Sequence, residues 1–60
     1  MENKEIRAEA KAAGVRLWEI AERLGMRDDA FSRKLRRELP AEEQRRILAI
    51  IDQIAAEREV

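Results

Sequence analysis

The chain of 60 residues is long enough for one small domain, and its lack of cysteine and histidine excludes disulfides and the usual zinc sites. Thirteen basic side chains balance thirteen acidic ones, and no apolar run approaches the roughly 20 residues that cross a bilayer or resembles the core of a secretion signal. Because 43% of the residues are charged and the apolar ones recur at helical spacing, we predict a cytoplasmic all-α domain without metal or cofactor.

The first predicted helix covers Lys4 to Ala13, which are mostly strong helix formers. Asn3 precedes this run and is a favourable N-cap, and Gly14 is a natural stop after it. Ile6, Ala10 and Ala13 share one face. We interpret this helix as scaffold.

The second predicted helix begins at Leu17, where Leu17, Ile20, Ala21 and Leu24 fall on one helical face. Gly25 follows directly, at the position after a helix where the backbone often turns left-handed. Glycine adopts that conformation at a lower cost than any other residue. The small side chain of Ala21 lets a following helix approach closely. A tight turn at Gly25 is therefore predicted.

Two side chains at the start of this helix have open interpretations. Arg16 lies at the N-cap position, from which its side chain either reaches a nucleic-acid phosphate or is simply solvated. Trp18 lies about 100° around the helix from Leu17, at the edge of the core. It is either a partly buried core residue or part of a partner surface, where tryptophan is enriched.

The third predicted helix covers residues 28–37, with Phe31 and Leu35 on its inner face. Its N-cap is either Arg27 or Asp28, and acidic residues in its first turn suit the positive end of the helix dipole. The inner face must be buried, so the side chains on the opposite face point into solvent. These outward residues are Asp29, Arg33 and Arg36, flanked by Ser32 and Arg37.

Charge is segregated along the chain although the total is zero. Residues 27–37 carry five basic and two acidic side chains, whereas residues 38–60 carry three basic and six acidic ones. A local basic surface binds phosphate even when the whole chain is neutral.

Within residues 17–37, an alanine stands at position 21, and Leu24 and Gly25 follow it three and four residues later. Phe31 and Ser32 follow the glycine by six and seven residues. This pattern resembles the lambda-repressor-like (Xre-type) helix-turn-helix family over about residues 15–37. The resemblance implies a small four-helix helix-turn-helix domain, with the motif at about 17–37 and the helix at about 28–37 entering the DNA major groove.

The resemblance also assigns roles to side chains. The family's base-facing positions fall here on Arg27, Asp28, Asp29, Ser32, Arg33 and Arg36. Phosphate contacts are expected from Arg16, Lys34 and Arg37. Asp29 accepts a hydrogen bond from cytosine or pairs with Arg33 four residues on, and we favour the pairing.

The fourth predicted helix covers about residues 41–57, with Pro40 at its first turn. Its apolar residues span an arc of about 160°, which is wide for a helix packed on one neighbour. We therefore expect part of the arc to form a homodimer interface through Leu48, Ile50 and Ile54. The alternative is that the whole arc packs within one chain.

The expected function is that of a small sequence-specific DNA-binding transcriptional regulator, similar by analogy to regulators of mobile elements, which binds double-stranded DNA as a homodimer. The alternative is a protein-binding helical module, such as an antirepressor or adaptor. An enzyme is not expected, because acid–base groups are limited to Asp, Glu and Lys and no glycine-rich phosphate loop is present. No small-molecule substrate is expected either.

Overall fold

The computed structural model describes residues 3–58, which form four helices without a strand. The helices are α1 (Lys4–Ala13), α2 (Leu17–Leu24), α3 (Asp28–Lys34) and α4 (Ala41–Arg58). The predicted all-α, four-helix architecture with a long last helix is confirmed. With 18 residues, α4 is about 27 Å long, close to the 34 Å of the longest molecular axis.

A single hydrophobic core joins the helices. α4 packs against α1 and α2, and α2 also packs against α3. The buried apolar residues are Ile6, Ala10, Val15, Ile20, Ala21, Phe31, Leu35, Leu39, Ile47, Ile51 and Ile54. Every helix contributes to this set.

The turn between α2 and α3 has the predicted glycine geometry. Gly25 has φ of 73°, in the left-handed region, and closes α2. The Gly25 N–H donates to the carbonyl of Glu22 at 3.1 Å, and the Met26 N–H donates to that of Ala21 at 2.9 Å. These two bonds satisfy carbonyls that the end of a helix otherwise leaves free. Gly14 closes α1 in the same way, with φ of 70°.

The start of α3 shows which residue is its N-cap, for which the sequence left Arg27 and Asp28 as alternatives. Arg27 has extended backbone angles, with φ of −74° and ψ of 150°, and its carbonyl accepts the Phe31 N–H at 3.0 Å. Arg27 is therefore the N-cap, and Asp28 is the first helical residue. No side-chain bond caps this end, because an arginine has no acceptor to offer.

The end of α3 differs from the prediction, because the helix stops at Lys34 rather than at residue 37. The backbone then tightens, with the Arg36 N–H donating to the carbonyl of Arg33 at 3.1 Å and the Arg37 N–H to that of Lys34 at 3.4 Å. Both bonds span three residues, as in a 3₁₀ turn. Arg36 and Arg37 therefore lie in the connection to α4.

Asn3 occupies the predicted N-cap position of α1, but its side chain makes different contacts from those of a capping residue. It precedes α1, but its side chain makes no capping bond and is fully buried. Its Nδ2 instead donates to the carbonyls of Leu35 and Arg37, at 2.9 Å each, and its Oδ1 accepts the Leu39 N–H at 2.9 Å. Carbonyls held by Asn3 favour a turn over a continued helix.

The apolar arc of α4 packs largely within the chain, which corrects part of the dimer prediction. Ile54 is only 4% exposed and belongs to the core, so it is not available to a second copy. Leu48 and Ile50 are half-buried and pack against the core. Because they are two residues apart, they lie about 160° apart around the helix. One flat interface cannot cover both.

Two ion pairs join the last turn of α4 to α2. Arg23 makes two hydrogen bonds to the Glu57 carboxylate, at 2.5 and 3.0 Å. Arg58 contacts both the Glu19 carboxylate and the carbonyl of Gly14. The Arg23 guanidinium lowers the pKa of Glu57. The pKa of Glu19 is lowered first by the Arg16 backbone N–H, at 2.8 Å, and then by Arg58.

These pairs predict an acid-sensitive fold. Since both glutamates have a lowered pKa when folded, their stabilisation is complete above the ordinary glutamate pKa and disappears as the pH falls through the folded value. The Glu57→Gln variant should therefore melt below wild type at about pH 6, and by a smaller margin at about pH 3. Thermal melts followed by circular dichroism test this expectation. An equal difference at both pH values would contradict it.

Candidate nucleic-acid interface

The outer face of α3 is exposed because its inner face is fixed in the core. Phe31 and Leu35 are each 0% exposed, which leaves α3 no freedom to rotate about its axis. The exposed residues on and beside the helix are Arg27, Asp28, Asp29, Ser32, Arg33 and Lys34. The predicted orientation, with apolar residues inward and arginines in solvent, is confirmed.

Asp29 lies between two of these arginines. Its Oδ1 is 3.5 Å from Nε of Arg27, and its Oδ2 is 3.9 Å from Nη2 of Arg33. The favoured pairing of Asp29 with Arg33 is therefore present. All three side chains are mostly exposed, so these contacts are weak and readily exchanged for those of a ligand.

Lys34 has a closer partner than the sequence indicated. Its Nζ donates to Oε1 of Glu43 on α4, at 2.9 Å. This contact joins the last turn of α3 to α4, and a phosphate would have to compete with a carboxylate for the same ammonium group. The local sequence pattern gave no signal for this pair, since the two residues belong to different helices.

Arg36 and Arg37 are exposed in the turn that follows α3. Within residues 3–58, neither side chain forms an ion pair. Two guanidinium groups without an ion-pair partner among these residues therefore lie side by side, directly after α3. Such groups neutralise phosphates at little desolvation cost, since both remain in water.

Arg16 lies on a different element of the same unit, at the N-cap of α2. Its side chain is exposed, while its backbone N–H is held by Glu19 at 2.8 Å. The start of α2 is therefore ordered and the guanidinium remains in solvent. Both open interpretations, phosphate contact and simple solvation, are compatible with this position.

Trp18 is the one large apolar side chain exposed in the described part of the chain. Half of its surface, 50%, is in solvent, and it is not among the residues that pack against the core. The core interpretation is therefore wrong. The interpretation as part of a partner surface stays a prediction.

Between residues 3 and 58, no group of three or more acidic side chains converges as a metal site would require. None of the helices in that range has the length and apolarity to pass through a membrane. The basic surface around α3 is thus the most distinctive polar feature of the described chain.

Comparison with known proteins adds no relative. No family model, curated protein or solved structure matches this chain.

Proposed function

We propose that the chain is a sequence-specific DNA-binding transcriptional regulator of the lambda-repressor-like (Xre-type) helix-turn-helix kind. One observation carries the proposal: α3 follows a glycine turn, and complete burial of Phe31 and Leu35 leaves the opposite face of α3, with Ser32 and Arg33, in solvent. A helix presented in this way fits the major groove, which is wide enough to admit it.

Within this proposal, the side chains divide by position. Arg33 and Ser32 lie on the exposed face of α3, and Arg27 lies at its N-terminal end, where family members contact bases. Arginine in the major groove prefers guanine, which offers two acceptors. Asp29 orients Arg27 and Arg33 and disfavours indiscriminate phosphate binding.

Phosphate contact is assigned to the residues around the helix ends. Arg36 was expected to read bases as part of a longer helix, but it lies beyond the last helical residue, so we assign it to phosphate together with Arg37. Arg16 approaches the backbone from the start of α2. Lys34 contributes only when it exchanges Glu43 for a phosphate.

A homodimer remains part of the proposal, with two half-sites about one helical turn apart. The interface uses one flank of α4, either the Leu48 side or the Ile50 side, because the two lie on opposite sides of the buried stripe.

The proposal predicts binding to DNA that is both sequence-selective and strongly salt-dependent. Selection from a random duplex pool at physiological salt should enrich a short motif, repeated symmetrically if the chain binds as a dimer. Gel shifts on that motif should weaken steeply as salt rises, because each phosphate contact releases counterions, with a slope of about −0.9 per contact in log K against log salt. A pool that remains random after selection would refute the proposal.

The second candidate is a protein-binding module, which the exposed Trp18 favours because tryptophan is enriched at interfaces. The same selection separates the two candidates. A protein module gives no enriched duplex motif.

A further inference from the structure

The amide of Asn3 is held by three groups that determine its orientation. The carbonyls of Leu35 and Arg37 can only accept, so they must face Nδ2, and the Leu39 N–H can only donate, so it must face Oδ1. Each bond measures 2.9 Å and the side chain is 0% exposed. A buried amide with this many partners is costly to disturb, because any lost partner leaves a polar group unsatisfied.

The three partners enclose the basic turn. Leu35 and Arg37 lie on either side of Arg36, and Leu39 begins the approach to α4. The Asn3 backbone N–H adds a fourth bond, to Oε1 of Glu38 at 2.7 Å. Asn3, near the start of the chain, thus holds the backbone of the turn by hydrogen bonds. The guanidinium groups of Arg36 and Arg37 stay in solvent.

The backbone angles of Asn3 give a second reason for asparagine at this position. Its φ of 56° and ψ of 40° lie in the left-handed region, which asparagine and aspartate enter more readily than other side-chain-bearing residues. Glycine tolerates these angles but has no amide, and aspartate tolerates them but cannot donate. The position therefore requires both a left-handed backbone and an amide with a donor and an acceptor.

We propose that Asn3 is a positioning residue for DNA binding: it ends α3 at Lys34 and fixes the turn so that Arg36 and Arg37 face the DNA backbone. The DNA part of this inference rests on the proposed function. The conformational part, that Asn3 sets the end of α3, does not depend on it. Base selection is left to α3 itself, so Asn3 governs phosphate contact and not sequence preference.

The test compares Asn3→Asp with wild type in two measurements. Aspartate keeps the shape, the left-handed preference and the acceptor for Leu39, but it removes both donors to the carbonyls. In NMR spectra, the Cα shifts of residues 35–37 should move from turn values towards helical or averaged ones. In gel shifts on the selected duplex, the slope of log K against log salt should become shallower by about 2, because two phosphate contacts are lost.

A double-mutant cycle separates positioning from general loss of structure. In an Arg36→Ala plus Arg37→Ala background, adding Asn3→Asp should leave the salt slope unchanged, because the contacts that Asn3 positions are already absent. The enriched sequence motif should be the same for wild type and Asn3→Asp. If Asn3→Asp does not fold, Asn3→Gly serves in both measurements, since it keeps the left-handed backbone without placing a carboxylate against carbonyls.

The outcomes distinguish this inference from the proposed function. If wild type binds DNA and a folded Asn3 variant keeps the same salt slope, the positioning role is overturned while the proposed function stands. If wild type binds no DNA, the proposed function fails and the DNA part of the inference fails with it. Unchanged Cα shifts at residues 35–37 in a folded variant overturn the conformational part in either case.

Discussion

Replacing Arg33 and Arg36 together with alanine is expected to weaken binding to the selected duplex by at least about 5-fold. Substitution of Arg33 would remove a base contact from the face of α3. Substitution of Arg36 would remove a phosphate contact from the turn after the helix. An arginine with two hydrogen bonds to a base typically contributes about 1–3 kcal/mol, and loss of a phosphate contact weakens binding further and reduces the salt slope by about 1. Both side chains are exposed, so the fold should be retained. Fluorescence anisotropy on a labelled duplex measures the loss, and circular dichroism checks the fold.

The control for this double variant is Arg45→Glu, which makes the same change in net charge with one substitution. Arg45 is exposed and lies two residues before buried Ile47, about 160° around α4 and so away from the core and α3. If binding depends on net charge alone, both variants should weaken it equally. If the face of α3 contacts the DNA, only the Arg33→Ala plus Arg36→Ala variant should bind the duplex more weakly. A folded double variant with wild-type affinity would remove the basis for the proposed DNA-binding face.

Replacing Phe31 with alanine is expected to unfold most of the chain. Phe31 is 0% exposed at the centre of the core, and truncating such a side chain costs about 3–5 kcal/mol, because a cavity remains. At about 0.05–0.15 kcal/mol per residue, a chain of 60 residues has a total stability of only about 3–9 kcal/mol. The expected loss of stability is therefore comparable to the total stability of the chain. Urea titration followed by circular dichroism measures it.

Two other variants show whether burial causes this effect. Phe31→Leu keeps most of the volume and should cost less than about 1.5 kcal/mol. Trp18→Ala removes a larger aromatic ring from a position that is 50% exposed and should destabilise the chain far less than Phe31→Ala. A Phe31→Ala variant that unfolds at the same urea concentration as Trp18→Ala would show that α3 is not held by its inner face.

Local patterns in the sequence were sufficient for most of the architecture. The spacing of Leu17, Ile20, Ala21 and Leu24 predicts one face of α2, and all four lie in or against the core. Gly25 marks the turn because its left-handed backbone is a local requirement. The exposure of Arg33 was predicted by the same reasoning, since burying one side of a helix leaves the other side in solvent.

The remaining features depend on contacts between residues that are distant in sequence. Asn3 fits the local pattern of an N-cap, yet its side chain bonds to residues 32–36 positions away, and α3 ends before its helix-forming residues do. Glu43 holds Lys34 from another helix. The width of the α4 arc suggested a second copy, but α4 packs against both α1 and α2 within the chain, and Ile54 is buried. A helical wheel shows which residues share a face and not how many neighbours cover it.

The short length of α3 links its order to its surroundings. Seven residues are too few to remain helical in water without support, so α3 is helical only while Phe31 and Leu35 occupy the core. Any opening that separates α3 from α2 must therefore melt it at the same time. The segment has no partly detached helical state, and its conformational equilibrium is confined to two forms, docked and helical or released and disordered.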